Sequence, residues 1–299
     1  MPRTLPKTDV VIVGMGAAGG AAVLPLTNAG LKVIGLEAGG WLSPRDFAPD
    51  ELRNTSRNWP QTVQKAATEA MTVRPDPSTD AVRGGHPMMN AVGGTTMHYW
   101  AQSWRLNPWD FNVVSSTKAR YGQHRLPSDT TVEDWPFDYA ELEPFYEKIE
   151  TVVGISGQAG NVQGKLNTAG NIFEGPRQSE YPMQPLRSSP FTEFMSDAAR
   201  RLNWNPFQGP AAITTEIYDG RAPCQYHGFC NKGGCHVQAK SSIAVTVIPK
   251  AVDTGNLDVV TFARVTEIVT NNAGKVVGVD YVKGNETYHQ PADVVLLGS

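Results

Sequence analysis

The sequence predicts an α/β fold with parallel strands, and three observations near its start support that prediction. Residues 9–13 (DVVIV) form an apolar run without alternation, which is typical of a strand buried on both faces of a sheet. A glycine-rich turn and a run of small apolar residues follow at 14–30. A second apolar run, LKVIGLE at 31–37, completes a strand–turn–helix–strand unit, which is the building block of parallel sheets.

The glycine turn after the first strand has the spacing of a dinucleotide-binding site. Gly14 permits the tight turn, Gly16 lets the backbone approach a diphosphate, and Gly19 lets the helix pack closely on the strand. The N–H groups and dipole of the helix N-terminus favour the negative charge of the diphosphate. Glu37 ends the second strand, where it can accept hydrogen bonds from a ribose diol, and an acid here argues against a 2′-phosphate. The turn therefore predicts NAD or FAD without distinguishing the two.

Two helices are predicted in the middle of the chain. Asp138 and Glu141 have the spacing of a capping box, which marks a helix N-terminus. The apolar residues behind it recur at helical spacing and are Leu142, Phe145, Tyr146, Ile149 and Val153. The stretch PFTEFMSDAARRLN, at 190–203, predicts a second, short amphipathic helix.

The last part of the chain is predicted to form strands. From Leu257 the strand candidates are LDVVTF, ARVTEIVT, VVGVDYV and TYHQ, with a turn at NNAGK. The final stretch, ADVVLLGS, is a further apolar strand of the fully buried type. Because parallel strands need a covering helix and none follows, we expect the chain to be part of a longer protein.

Composition and charge argue against two classes of partner. The net charge is −3 and no basic stripe is present, so nucleic acid is not an expected ligand. No apolar run is long enough to span a bilayer, so direct membrane insertion is not expected. The opening residues show neither a signal-peptide core nor a twin-arginine pair. Taken alone, this lack of an export signal favours a cytoplasmic location.

The 3 cysteines of the chain lie together in APCQYHGFCNKGGC, at 222–235. Chance rarely clusters them so closely, and an odd number cannot form a paired disulfide framework, so Cys224, Cys230 and Cys235 are expected to share a chemical role. Thiolates are the usual ligands of iron–sulfur clusters, and the glycines of this stretch would let it wrap around one. A structural zinc site with three cysteines and a histidine, and ordinary reduced thiols, are the alternatives.

Beyond the glycine turn, several motifs follow one another in an order that points to one family. They are NAVGGTTMHYWAQSWR, DWPFDYAELEPFYEKIE, NIFEGPRQSEYP, CQYHGFCNKGGCHVQAKSS and PADVVLLGS. With them the chain resembles the glucose–methanol–choline (GMC) flavoprotein oxidoreductases, and within these the flavoproteins of bacterial gluconate 2-dehydrogenase. The resemblance implies a Rossmann-like, doubly wound FAD-binding domain interleaved with an α+β substrate domain that is incomplete here. It places the first part of the FAD domain at 1–135, the substrate region with the cysteines at 136–240, and the return to the FAD domain at 241–299.

The resemblance also assigns cofactor contacts by position. Gly93, Gly94 and Thr95 would lie along the flavin, and the backbone of Val265 would meet the adenine. His98 matches a histidine that several family members bond covalently to the 8α carbon of the flavin. A neutral imidazole is a nucleophile at ordinary pH, so it suits that bond. The alternative is that His98 only packs beside the ring. For Arg105 we expect a buried salt bridge, with orientation of a substrate carboxylate or a flavin phosphate as the alternative.

For the cysteines the resemblance implies a three-iron cluster, [3Fe-4S], that accepts electrons from the reduced flavin. Close family members carry a further cysteine where His227 stands in this chain. Three possibilities therefore stay open: a three-iron cluster on Cys224, Cys230 and Cys235, a four-ligand site that includes His227 or His236, or no cluster.

The implied activity is that of a dehydrogenase that oxidises an alcohol group of a sugar, sugar acid or polyol and passes electrons through the cluster to a cytochrome or quinone. The implied partners are a small subunit and a multihaem cytochrome subunit, which would hold the protein at the periplasmic face of a bacterial membrane. The histidine base of the family would lie beyond residue 299, so no catalytic base is assigned. An oxygen-using oxidase and a non-catalytic FAD-binding fragment or assembly module are the alternatives.

Overall fold

The computed structural model of the chain falls into two units. One comprises Met1–Trp100 and Gln225–Ser299, and the other comprises Ala101–Cys224. The structure describes residues 2–47, 50, 52, 89–228, 230 and 233–299. Residues 51 and 53–88, which belong to the expected first FAD segment, lie outside the described residues. As functional domains, the segments 1–135, 136–240 and 241–299 stay a prediction; the two units divide the chain elsewhere, after Trp100 and after Cys224.

The helices and strands follow the chain in this order. The strands are β1 (Arg3–Thr4), β2 (Thr8–Val13), β3 (Val33–Leu36), β4 (Asn161–Val162), β5 (Lys165–Leu166), β6 (Leu257–Val260), β7 (Ala263–Thr270), β8 (Val276–Lys283) and β9 (Glu286–Leu297). The α-helices are α1 (Ala17–Asn28), α2 (Val113–Tyr121), α3 (Tyr139–Val153), α4 (Pro190–Arg201) and α5 (Ile243–Asp253). Short 3₁₀ helices cover Pro44–Phe47, Gly94–Met97, Pro108–Phe111 and Gln123–Arg125.

A seven-stranded sheet with the order β6-β3-β2-β9-β8-β7 organises the first unit, and β1 adds to β9. Strands β6, β3, β2 and the second half of β9 run parallel, whereas β7, β8 and the first half of β9 are antiparallel. The predicted strand–helix–strand unit is therefore confirmed as β2, α1 and β3. Helix α1 packs against α5 at Gly20, where an added Cβ would lie 2.0 Å from Ile243 Cγ2.

Strand β9 joins two stretches that were predicted as separate strands. Its first half pairs with β8 up to Pro291, and its second half pairs with β2 from Ala292 onward. Because an antiparallel and a parallel neighbour meet the same strand in succession, the chain needs no turn between them. The burial predicted for its final residues is not seen, since the side chains of Val294 and Leu297 are 55% and 63% exposed.

Helix α3 of the second unit begins as predicted but buries a different face. Asp138 accepts a hydrogen bond from the Glu141 N–H at 3.0 Å, and Glu141 accepts one from the Asp138 N–H, so the capping box is confirmed. Phe145 of the apolar stripe is 61% exposed, whereas Val153 at the end of the helix is buried. Glu143 and Glu150 are buried as well.

An ion cluster explains these buried carboxylates. Arg105 donates from Nε and Nη2 to the two oxygens of Glu150, both at 2.8 Å, and from Nη1 to Glu143 at 3.1 Å. Arg177 donates to Glu150 at 2.6 Å, and its guanidinium lies 3.7 Å from the centre of the Tyr181 ring. The expected buried salt bridge of Arg105 is thereby confirmed. Charges that are out of water are tolerated only when they are paired and hydrogen-bonded in this way.

Helix α4 forms within the predicted stretch, and Ser189 caps it by accepting a hydrogen bond from the Thr192 N–H at 3.1 Å. Its apolar residues Phe191 and Phe194 are 71% and 70% exposed. Among the helices that the structure describes, none has the length and apolar character needed to cross a bilayer.

Candidate cofactor site

A cavity of about 500 Å³ lies in the first unit, at the carboxyl ends of β2 and β3. This is the edge of a parallel sheet where ligands of α/β proteins bind. The predicted site residues that line it are Gly14, Gly16, Glu37, Gly94, Thr95 and Val265. The volume is in the ordinary range for a cofactor or small-molecule site.

The glycine turn shapes the cavity wall as the spacing predicted. Gly14 has a φ of +87°, and its N–H donates to the Leu36 carbonyl at 2.8 Å, which turns the chain out of β2. Gly19 lies against that turn, because an added Cβ would be only 2.0 Å from the Gly14 oxygen. Gly16 is the N-cap of α1, where no side chain caps the helix and no acidic residue occupies the first turn. The helix N-terminus therefore suits an anion.

A second pair of glycines meets the first. Gly93 and Gly94 have φ values of +95° and +52°, a backbone conformation that other residues rarely adopt. The Gly93 N–H donates to the Met15 carbonyl at 2.8 Å. An added Cβ at Gly94 would lie 2.9 Å from the Gly16 Cα, so the two backbones pass each other closely. The structure thus brings together two motifs that stand far apart in the sequence.

Glu37 fastens the glycine turn to the end of β3. Its side chain is buried, and its two oxygens accept hydrogen bonds from the Met15 N–H at 3.0 Å and the Gly39 N–H at 2.9 Å. Burial raises the pKa of Glu37, and the backbone N–H groups of Gly39 and Met15 oppose that rise. Each carboxylate oxygen has a further lone pair, so the group can also accept hydrogen bonds from a ribose diol.

We expect Glu37→Gln to lower stability by about 1–3 kcal/mol, because the amide turns an NH₂ toward one of the two backbone donors. The cost should also depend on pH. The folded-state pKa of Glu37 lies above its unfolded value, so its titration favours folding most at low pH, and that contribution is lost as pH rises through the folded pKa. Thermal melts of both proteins without FAD, from acidic to neutral pH, should show the wild-type advantage shrinking as pH rises. A difference in stability between the two proteins that stays constant with pH would contradict this expectation.

His98 follows the second glycine pair but does not line the cavity among the described residues. It ends the 3₁₀ helix Gly94–Met97, and its side chain is only 3% exposed. Its neighbour Tyr99 donates from its hydroxyl to the Ser241 carbonyl at 2.9 Å. The covalent bond from His98 to a flavin stays a prediction.

The described structure does not gather the cysteines into a metal site. Cys230 and Cys235 belong to the first unit and Cys224 to the second, and all three are partly buried. Within the described parts of the chain, no three His, Cys, Asp or Glu side chains come together in a way that could hold a metal ion. The assignment of these cysteines as ligands of an iron–sulfur or zinc centre therefore remains a prediction.

The burial of a lysine beside the cysteines was not predicted from the sequence. Lys240 is 4% exposed. Burial lowers its pKa, while the nearby thiols of Cys230 and Cys235 oppose that effect. The rings of His227 and His236 stack 4.6 Å apart, and burial, followed by the charge of His227, lowers the pKa of His236. The one sequence signal for Lys240 is a single charge within a run of small residues, AKSS.

A family model and several curated relatives indicate the same family for this chain. The family model for GMC oxidoreductase matches residues 127–299. The gluconate 2-dehydrogenase flavoprotein of Pantoea cypripedii is 30% identical over 99% of this chain and 51% of its own length. The 2-methyl-1,2-propanediol dehydrogenase of Mycolicibacterium austroafricanum is 30% identical over 94% of this chain and 46% of its own length. The fructose dehydrogenase large subunit of Gluconobacter japonicus is 27% identical over 77% of this chain and 40% of its own length.

Solved structures share the fold at low sequence identity. An FAD-dependent oxidoreductase from Chaetomium thermophilum aligns with a TM-score of 0.58 at 14% identity, over 97% of this chain and 45% of its own. Pyridoxine 4-oxidase from Mesorbium loti aligns with a TM-score of 0.53 at 15% identity, over 97% of this chain and 49% of its own. The chain spans about half the length of the relatives it matches. It belongs to the GMC oxidoreductase family and has the FAD-binding fold of that family.

Proposed function

We propose that this chain is the FAD-binding part of a dehydrogenase that oxidises an alcohol group of a sugar, sugar acid or polyol. The observation that carries the proposal is the cavity where Gly16, Glu37 and Gly94 meet at the ends of two parallel strands. The named activities of the relatives support the substrate class, since gluconate, fructose and 2-methyl-1,2-propanediol all offer CH–OH groups.

The residues of the cavity fit the parts of FAD. The uncapped N-terminus of α1 at Gly16 would bind the diphosphate, and Glu37 would accept hydrogen bonds from the adenosine ribose. The backbone at Val265 would meet the adenine, and Gly94 with Thr95 would lie along the isoalloxazine. When bound, FAD supplies the hydride acceptor. The chain's own residues orient the cofactor and keep its diphosphate on fixed N–H donors.

The base that takes the hydroxyl proton is proposed to lie outside these 299 residues. No histidine lines the cavity among the residues that the structure describes. A general base must come within hydrogen-bond reach of the proton it removes, so none of the described histidines is assigned that role.

An electron relay to a cytochrome or quinone is the second part of the proposal. It rests on the spacing of Cys224, Cys230 and Cys235, which suits a [3Fe-4S] cluster, and not on an assembled ligand set. A small subunit and a multihaem cytochrome subunit at the periplasmic membrane face are the proposed partners. One relative is named as a large subunit, which supports a complex of several chains.

The test is turnover by the complete gene product. We expect bound FAD by absorbance and reduction of an artificial dye with gluconate, fructose or a related polyol under anaerobic conditions. Peroxide formation without dye would instead identify an oxidase, and bound FAD without turnover on any CH–OH donor would identify a non-catalytic module. Iron and acid-labile sulfide analysis tests the relay separately. Flavin colour that stays with the denatured polypeptide tests the bond to His98.

A further inference from the structure

Lys240 ends the cysteine loop, which we define as the described residues 225–228, 230 and 233–240. Its ammonium group donates hydrogen bonds to three backbone carbonyls: Tyr99 at 2.8 Å, Cys230 at 3.1 Å and Gly233 at 2.7 Å. An ammonium group has three N–H donors, so every one of them is satisfied. Because all three N–H donors are hydrogen-bonded, the ammonium group can be buried.

These acceptors come from two separate segments of the first unit. Cys230 and Gly233 belong to the cysteine loop, and Tyr99 belongs to the segment Gly93–Trp100 that carries the second glycine pair. One buried cation therefore ties the loop to the segment beside the cofactor cavity. A hydrogen bond from a charged donor contributes more than a neutral one, so three of them make a strong tie.

No helix or strand orders the described residues of the cysteine loop up to 239. Tyr226 and Gln238 both have a φ of +57°, and strained backbone of this kind persists only when its surroundings hold it. A further support is Gly234, which lies against the ring of Phe47, since an added Cβ there would be 2.1 Å from that ring.

We propose that Lys240 is a positioning residue that fixes the cysteine loop on the segment Gly93–Trp100. The proposal rests on the proposed function only where it treats Gly93–Trp100 as the flavin-facing segment.

Hydrogen–deuterium exchange on the complete protein tests the tie, with Lys240→Met compared with the matched variant Lys275→Met. Lys275 lies exposed at the turn between β7 and β8. We expect Lys240→Met to speed exchange about tenfold or more in peptides from the cysteine loop and from Gly93–Trp100. Peptides from β7 and β8 should not change, and Lys275→Met should match the wild type. Equal exchange in Lys240→Met and the wild type would overturn the proposal.

Bound flavin gives a readout that a purely structural role would not move. The visible circular dichroism of FAD should change in Lys240→Met at unchanged FAD content, because the segment beside the cofactor has lost its anchor. An unchanged spectrum together with unchanged exchange in Gly93–Trp100 would refute the link to the flavin-facing segment.

If Lys240→Met does not fold, the proposal is tested on the wild-type protein. In the native protein the Lys240 amine should react with an acylating reagent about tenfold or more slowly than Lys275, and equal rates would count against its burial. Iron, zinc and FAD contents of the same samples separate this proposal from the relay, since a Lys240 effect without iron supports the tie and refutes the cluster.

Discussion

Replacing Glu150 with alanine is expected to lower the free energy of unfolding of the second unit by about 3–5 kcal/mol, the cost of removing one partner from a buried ion pair. Glu150 accepts two hydrogen bonds from Arg105 and one from Arg177, and the side chains of these residues are 6%, 4% and 1% exposed. Without the carboxylate, Arg177 keeps its charge in a buried place and loses its only ion-pair partner among the described residues. Among the described residues, Arg105 would retain its ion pair with Glu143 and its hydrogen bond to the Tyr139 hydroxyl.

Urea unfolding of Glu150→Ala, Glu150→Gln and the control Glu216→Ala measures this effect. Glu216 is exposed in the same unit, so its loss should cost no more than about 0.5 kcal/mol. Glu150→Gln keeps the shape but turns amide N–H groups toward the arginines, so most of the loss should remain. If Glu150→Ala unfolds within about 0.5 kcal/mol of the wild type, the buried cluster does not hold this unit together.

Replacing Gly16 with valine is expected to weaken FAD binding about 100-fold, or roughly 2.8 kcal/mol, while the protein still folds. At Gly16 the backbone has a φ of −77°, which valine adopts readily, and the nearest atom to an added Cβ is the Gly94 Cα at 3.9 Å. The Cβ of the new side chain would therefore find room in the free protein. It would occupy the space at the α1 N-terminus that the diphosphate needs.

The contrasting variant is Gly19→Ala. There an added Cβ would lie 2.0 Å from the Gly14 oxygen, so α1 must move away from β2 and the protein should lose stability even without FAD. Thermal melts and flavin fluorescence titrations of both variants separate loss of binding from loss of fold. Gly16→Val protein that binds FAD as tightly as the wild type would show that the diphosphate lies elsewhere.

Sequence reasoning predicted the parts of the fold that depend on neighbouring residues. The capping box of Asp138 and Glu141 closes over three positions, and the glycine turn with Glu37 lies inside one strand–helix–strand unit. In both cases the residues that make the contacts are close in the sequence. Their spacing alone therefore specifies the geometry, and the structure shows the capping box and the glycine turn as expected, whereas the backbone hydrogen bonds that Glu37 accepts were not predicted.

Contacts between distant segments were not predictable in the same way. The face of α3 that is buried was set by Arg105 and Arg177, which lie outside the helix, so helical periodicity pointed to Phe145 instead of Glu150. Lys240 was missed for a similar reason, since its acceptor at Tyr99 is far along the chain. Charged residues that pair across the fold leave no periodic signal in a single sequence.

The most direct test of the cofactor site is to locate FAD on the wild-type protein by hydrogen exchange with and without the cofactor. The site described here predicts a yellow complex with protection at the glycine turn, at Glu37, at the segment Gly93–Trp100 and around Val265. A protein that stays colourless after incubation with FAD would contradict it. So would protection confined to the second unit, where a cavity of about 790 Å³ lies beside Trp204.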